Sequence, residues 1–140
     1  RALEMGAEAV FDPGEADLVE KIRGLTGGKG VDCAVDCSGI LSSQRLCIDV
    51  VRRRGRVAFV GESNDSLVLR ISPDLIRKGL TLAGSWLYNL GDYPQVMQVI
   101  QQSPLIDLLV SHVLPMSRIQ ESFELMASGQ CAKVVVKPWE

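Results

Sequence analysis

The stretch VDCAVDCSG, residues 31–39, decides the fold because it is a short apolar run that stops on Ser38-Gly39. Two later runs have the same form, since RVAFVG at 56–61 and LTLAGSW at 80–86 also reach a glycine as they end. Strands that helices cover on both faces have this continuous apolar character, whereas a strand with one wet face alternates apolar and polar residues. The three runs therefore predict parallel strands of one sheet that is covered on both faces.

Helical segments separate these strands. The segment DPGEADLVEKIRGLTGG, residues 12–28, predicts a turn, a helix and a glycine stop. Its apolar positions share one helical face: Leu18, Val19, Ile22 and Leu25. A second helix is predicted from Ser42 to Arg54, ending before Gly55, with the inward positions Leu46, Ile48, Val50 and Val51. Strands that alternate with helices predict an α/β fold with right-handed crossovers.

Two shorter segments are predicted as further strands. AVF at 9–11 is a strand candidate, and LVLRISP at 67–73 places alternate apolar residues on one face. The second segment is either the edge of the sheet or an ordinary connecting strand. RALEMGA at 1–7 has apolar residues at helical spacing and ends on Gly6, as helices commonly do.

The pattern changes after Trp86, and this predicts two regions, residues 1–86 and residues 87–140. The second region contains two amphipathic helices, Asp92–Gln102 and Ser117–Ser128, and closes with KVVVKP, a strand that Pro138 ends. It lacks the strand and helix alternation of the first region, so we expect a separate layer.

Composition excludes several classes of function. The 140 residues carry a formal net charge of -2 with few aromatic residues, which argues against a nucleic-acid partner. No apolar stretch approaches the length of a membrane span and no signal peptide is evident, so we expect a soluble, cytoplasmic protein. No two of the four cysteines have metal-site spacing, and His112 is the only histidine. We therefore predict no metal site, a structural His112, and buried free thiols at Cys33 and Cys37.

The ends of the three main strands are the best candidates for a binding site. In an open parallel sheet, ligands bind beyond the carboxyl ends of the strands. The small residues there let backbone groups approach a flat ligand closely. The three ends are Cys37-Ser38-Gly39, Val60-Gly61-Glu62 and Gly84-Ser85-Trp86.

Two familiar motifs do not apply. TGGKG at 26–30 lacks the glycine spacing of a dinucleotide loop and precedes a strand instead of following one, so we interpret it as a helix stop and turn. No Gly-x-Ser-x-Gly elbow is present, and no catalytic residue is assigned.

Taken in order, five segments resemble the C-terminal portion of the medium-chain dehydrogenase/reductase family, which includes zinc-dependent alcohol, polyol and threonine dehydrogenases. The segments are RALEMGAEAVFDP, GLTGGKGVDCAVDCSG, RRRGRVAFVGE, LTLAGSW and SHVLPMSRIQESFELMASGQCAKVVVKP. The resemblance implies a partial Rossmann-like parallel sheet with flanking helices that lacks the first two strands. It also implies that residues 87–140 return to a catalytic domain.

By that resemblance the three strand ends would bind NAD or NADP. Cys37, Ser38 and Gly39 would lie along the adenosine and nicotinamide ribose side, and Val60, Gly61 and Glu62 would border the nicotinamide ribose. Gly84, Ser85 and Trp86 belong to the same set of cofactor-binding candidates; Ser85 and Trp86 would face the carboxamide. Lys133 falls near the expected pyrophosphate position, although a solvated surface lysine is an equal alternative.

The resemblance also implies what the chain would lack. The glycine-rich turn, the ribose-binding acid and every zinc ligand would lie upstream of Arg1, so we expect a fragment that is inactive alone. The parent would pass hydride between a secondary alcohol and nicotinamide, and in this family the 67–72 edge pairs across a dimer axis. The alternatives are a zinc-free relative of the quinone reductases and a non-catalytic dimerisation module.

Overall fold

The computed structural model describes all residues from Arg1 to Glu140. It contains four α-helices, α1 to α4, and five strands, β1 to β5, joined by short π and 3₁₀ turns. In chain order they are α1 Leu18–Gly24, β1 Val31–Asp36, α2 Leu41–Val50, β2 Val51–Phe59, β3 Thr81–Gly84, α3 Tyr93–Gln102, β4 Val110–Pro115, α4 Ile119–Ser128 and β5 Lys133–Lys137. A π-helical turn spans Ile71–Ile76, and 3₁₀ turns span Leu90–Asp92, Ile106–Leu109 and Met116–Arg118.

The chain divides into two compact units. The first, which we call the sheet unit, comprises residues 11–88; the second, the terminal unit, comprises residues 1–10 together with 89–140. The predicted division between residues 86 and 87, and the assignment of 87–140 to a catalytic domain, stay predictions.

The sheet unit confirms the predicted α/β fold. Its sheet has the order β1-β2-β3, and both pairs of neighbouring strands are parallel. Helix α2 connects β1 to β2 and packs on one face of the sheet. Ile48 of α2 and Val51 and Val57 of β2 are fully buried and form the centre of the core, as apolar side chains between a helix and a sheet should.

The expectation that helices cover both faces is wrong for this chain. Alternate residues of a strand point to opposite faces. Cys33 and Val35 of β1 share one face with Ala58 of β2 and Ala83 of β3, and together they line an open apolar groove. Val35 is 58% exposed. The prediction of buried thiols fails for the same reason, because Cys33 on the open face and Cys37 beyond the strand are both exposed.

Two predicted strands do not form. Residues 8–12 belong to no sheet, because a strand needs a hydrogen-bonded neighbour and none of the five strands pairs with this segment. Residues 67–70 likewise join no sheet, and Ile71 begins the π-helical turn. The helical spacing of residues 1–7 gives only a hydrogen-bonded turn, which ends at Gly6 with φ of 96°.

The second helix of the sheet unit ends four residues earlier than predicted. Val50 closes α2, and Val51 already has an extended backbone with φ of -70° and ψ of 136°. The residues Arg52 to Gly55 then form a bulge in β2, because Val31 pairs with Val51 whereas Cys33 pairs with Arg56. This bulge carries three consecutive arginines to the amino-terminal end of the sheet.

The terminal unit contains both predicted helices and the predicted closing strand, as α3, α4 and β5. Strand β4, which the sequence analysis did not predict, pairs in parallel with β5. His112 lies on β4 with its Nδ1 3.0 Å from the Ser111 hydroxyl, in accordance with a structural role. None of the helices combines the length and apolar composition that a membrane crossing would require.

Candidate functional site

The three predicted strand ends lie side by side at one edge of the sheet. Asp36, the last residue of β1, is in register with Phe59, the last residue of β2, and Phe59 is in register with Gly84 at the end of β3. Because the strands are parallel, the residues that follow them emerge at the same level and in the same direction. The structure therefore brings together all nine sequence-predicted residues of the sheet unit.

Backbone hydrogen bonds beyond the strands hold the ends in place. The N–H groups of Val60 and Gly61 both donate to the carbonyl oxygen of Asp36, at 2.8 and 3.0 Å. The Ser85 N–H donates to the carbonyl oxygen of Phe59 at 3.0 Å. The second end is thus tied to β1, and the third end to β2.

The side chain of Asp36 fixes the first end. Its carboxylate accepts hydrogen bonds from the Ser38 hydroxyl at 2.7 Å, the Ser38 N–H at 3.2 Å and the Gly39 N–H at 3.1 Å. Burial alone would raise the pKa of Asp36, but hydrogen bonds from Ser38, Gly39 and Gln44 outweigh it and hold the pKa below its ordinary value of 3.8. A charged Asp36 is therefore the form that organises this turn.

Two of the glycines are required by close backbone packing. Gly39 has φ of 69°, and a Cβ there would lie 2.0 Å from the carbonyl oxygen of Glu62. A Cβ on Gly61 would lie 2.1 Å from the backbone nitrogen of Gly39. Only glycine permits the first two ends to touch in this way, so these residues shape the edge whether or not they contact a ligand.

A cleft opens beyond β2 and β3, with a volume of about 410 Å³; we call it the strand-tip cleft. The residues that line it are Gln44, Phe59, Val60, Gly61, Glu62, Ser63, Asp65, Gly84, Ser85 and Trp86. Six of them are sequence-predicted cofactor residues, from the second and third ends. The first end supports the cleft wall through the contact of Gly39 with residues 61 and 62.

The strand-tip cleft offers free hydrogen-bonding groups. The backbone N–H groups of Glu62 and Trp86 donate no hydrogen bond within the chain. A Cβ on Gly84 would meet no atom within 4 Å, so a ligand can approach the backbone there. Trp86 is 76% exposed, and its ring offers an aromatic surface. Backbone donors beside a flat apolar surface fit an amide-bearing aromatic ring such as nicotinamide.

Sequence reasoning missed several residues of this edge. Asp36 could have been identified from the sequence, because an acid two residues before a Ser-Gly pair commonly accepts hydrogen bonds from the turn that follows. Gln44, Ser63 and Asp65 gave no such signal, since only the folded chain brings them to the cleft. Lys133, the remaining predicted residue, begins β5 in the terminal unit, and its role stays a prediction.

No three His, Cys, Asp or Glu side chains are placed to hold a metal ion.

Comparison with known proteins places these features in a family. A family model described as zinc-binding dehydrogenase matches residues 1–102. L-threonine 3-dehydrogenase from Bacillus licheniformis is 30% identical over 139 residues, which are 98% of this chain and 40% of that protein. Sorbitol dehydrogenase from Halalkalibacterium halodurans is 26% identical over 99% of this chain and 40% of its own length. The chain thus spans about 40% of the length of the curated relatives it matches.

Solved structures agree on the fold. An alcohol dehydrogenase from Thermotoga maritima superposes with a TM-score of 0.88 at 23% identity, over 98% of this chain and 39% of that one. The 2R,3R-butanediol dehydrogenase from Bacillus subtilis gives a TM-score of 0.84 at 25% identity, over 98% of this chain and 40% of that one.

Proposed function

The chain belongs to the zinc-binding dehydrogenase family, and on that premise we propose that the strand-tip cleft binds the nicotinamide end of NAD or NADP. The observation that carries the proposal is the alignment of three glycine-containing strand ends at one edge of a parallel sheet. Bound nicotinamide accepts or supplies the hydride; the chain's own residues hold and orient it.

The proposal gives each strand end a task. Val60, Gly61 and Glu62 border the nicotinamide ribose, and the free N–H of Glu62 is available to a ribose oxygen. Ser85 and Trp86 face the carboxamide, whose amide needs backbone partners so that one face of the ring is presented. The remaining candidates take the tasks that the family resemblance implies: Cys37, Ser38 and Gly39 along the ribose and adenosine side, and Lys133 near the pyrophosphate.

We further propose that the whole protein transfers hydride between a secondary alcohol and this nicotinamide. Relatives named L-threonine 3-dehydrogenase and sorbitol dehydrogenase support a hydroxy amino acid or polyol as the substrate class. The catalytic zinc implied by the family would have to be held by residues outside this chain, because none of its own side chains form a metal site.

Binding can be tested with the two tryptophans, Trp86 and Trp139. In a Trp139→Phe variant, Trp86 is the only tryptophan, and we expect titration with NADH or NADPH to quench its fluorescence in a saturable way. The matched Trp86→Phe variant, which retains Trp139, should show weaker quenching over the same range. Absence of saturable quenching of Trp86 by both cofactors would contradict the proposal.

We also propose that residues 67–72 contribute to a homodimer. This segment joins no sheet, and Val68 and Ile71 are 77% and 58% exposed. Residues 67–70 lie outside any helix or strand, whereas Ile71 and Ser72 belong to the π-helical turn. Unpaired backbone with exposed apolar side chains is a common site of chain-to-chain pairing. We expect sedimentation to give a dimer for the unsubstituted chain and a monomer for Val68→Asp. The control Leu25→Asp, at another exposed apolar position, should stay dimeric. A monomeric unsubstituted chain, or a dimeric Val68→Asp, would contradict this.

A further inference from the structure

A second cleft lies at the opposite end of the sheet from the strand ends. It has a volume of about 430 Å³ and is lined by Arg53, Arg54, Ile76, Arg77, Lys78 and Gly79; we call it the basic cleft. Arg54 lies in the bulge near the amino-terminal end of β2, whereas Val60 follows the carboxyl end of that strand, so the two clefts lie at opposite ends of the sheet. The basic cleft is therefore separate from the proposed cofactor site.

Hydrogen bonds hold the walls of the basic cleft together. The Arg54 N–H donates to the carbonyl oxygen of Lys78 at 2.7 Å, and the Arg53 guanidinium donates to the carbonyl oxygen of Arg77 at 2.9 Å. The Lys78 ammonium donates to the carbonyl oxygen of Ile48 at 2.6 Å. The first two bonds join the β2 bulge to the segment before β3, and the third joins that segment to α2.

The charge of the cleft is not balanced by the chain. Four of its six lining residues are cations, none is acidic, and none of the four forms a salt bridge. The acids nearby are engaged elsewhere: Asp74 pairs with Arg45 and Arg70. Asp49 also pairs with Arg45, and Asp32 with Arg52. A local excess of positive charge in a protein of net charge -2 is a marked asymmetry.

Lys78 is the partly buried cation of the cleft. Burial is the main cause that lowers its pKa; the charge of Arg23 lowers it further, whereas the charge of Asp49 raises it. The like charges of Arg53, Arg54 and Arg77 repel one another, and a bound anion would relieve that repulsion. Guanidinium groups in addition match phosphate oxygens two at a time, which a lysine ammonium cannot do.

We propose that the basic cleft binds a small ligand that carries a phosphate or diphosphate group. A small ligand fits better than a nucleic acid because the cations surround a concave space of limited volume. A phosphate in the cleft would receive hydrogen bonds from Arg54 and Arg77. Neither of these guanidinium groups donates to any other residue of the chain.

The test uses inorganic pyrophosphate, followed by calorimetry and by the backbone amide NMR signals of the protein. We expect saturable binding that shifts the signals of residues 53–54 and 77–79. The double variant Arg54→Gln/Arg77→Gln should bind at least about tenfold more weakly, since it loses two charge-assisted contacts. Arg54→Lys/Arg77→Lys should retain intermediate affinity, and Arg118→Gln, a charge change in the terminal unit, should bind like the parent.

Four results would overturn the proposal. The first is the absence of saturable pyrophosphate binding, and the second is unchanged affinity in the double glutamine variant. The third is tighter binding of a single-stranded oligonucleotide than of pyrophosphate, with NMR shifts well beyond the cleft. That result would indicate a nucleic-acid surface instead. Shifts confined to residues 60–62 and 84–86 would place the anion at the strand ends and would likewise contradict it.

Discussion

Replacing Gly61 with alanine should destabilise the protein by about 3 kcal/mol, because the new methyl group has no space. The Cβ would lie 2.1 Å from the backbone nitrogen of Gly39 and 2.7 Å from the carbonyl carbon of Ser38. Both neighbours are backbone atoms, which cannot rotate away as a side chain can. The first two strand ends would have to separate, breaking the hydrogen bonds that Val60 and Gly61 donate to Asp36.

The matched control is Gly84→Ala, at the third strand end. A Cβ on Gly84 meets no atom within 4 Å, so the free energy of unfolding should change by no more than about 0.5 kcal/mol. Urea denaturation of the parent and the two variants measures the difference. Equal stability of Gly61→Ala and the parent would show that the two ends do not pack as described. This control concerns stability alone, because Gly84 also lines the strand-tip cleft.

The continuous apolar runs in the sequence predicted the three strands of the parallel sheet. Strands β1, β2 and β3 follow from VDCAVDCSG, RVAFVG and LTLAGSW, and their parallel order follows from the helix between the first two. The same reasoning predicted which ends meet, since parallel neighbours must end at one edge. An apolar run predicts a strand here because the strand and the helix that packs on it bury their apolar side chains against each other.

The apolar pattern gave wrong predictions where burial of a strand depends on other segments of the protein that cover it or pair with it. The apolar character of β1 indicates two covered faces, yet Val35 lies on the open face with Cys33. AVF at 9–11 has the residues of a strand but no neighbour to pair with. Apolar composition predicts that a surface is buried, but it does not predict which segment buries it.

Residues that act through tertiary contacts were also beyond prediction from sequence. Gln44 and Asp65 reach the strand-tip cleft only because α2 and the segment after β2 fold towards it. The basic cleft forms because the bulge at Arg52 to Gly55 places the arginines of β2 beside Arg77 and Lys78. The predicted helix ran through residue 54, and this assignment concealed the bulge and hence the cleft.

The two clefts differ in how the chain builds them. At the strand ends, missing side chains expose backbone N–H groups, so recognition there depends on precise backbone positions. At the basic cleft, long cationic side chains supply the binding groups and the backbone only holds them together. Substitution of the closely packed Gly61 at the first cleft should therefore affect stability strongly, and substitution of the arginines at the second should affect ligand charge preference.

Replacing Asp36 with asparagine should lower the free energy of unfolding at neutral pH by about 1.5–3 kcal/mol, the usual contribution of hydrogen bonds to a charged acceptor. Asp36 is only 3% exposed, and both carboxylate oxygens accept hydrogen bonds, from Ser38 and from Gly39. An asparagine amide presents one N–H₂ group where the turn needs an acceptor. The Ser38-Gly39 turn should loosen, and NADH quenching of Trp86 should weaken with it.

The pH dependence distinguishes lost charge from general damage. The pKa of Asp36 in the folded protein is held below its ordinary 3.8, so its stabilisation is fully present above that pH and is lost as the pH falls below it. The stability difference between the unsubstituted chain and Asp36→Asn should therefore be constant from pH 5 to 7 and become smaller as the pH falls below about 4. Asp32→Asn on the same strand, whose side chain is 78% exposed, is the control and should change stability by no more than about 0.5 kcal/mol. A difference for Asp36→Asn that persists undiminished in acid would mean that the carboxylate charge does not organise the first strand end.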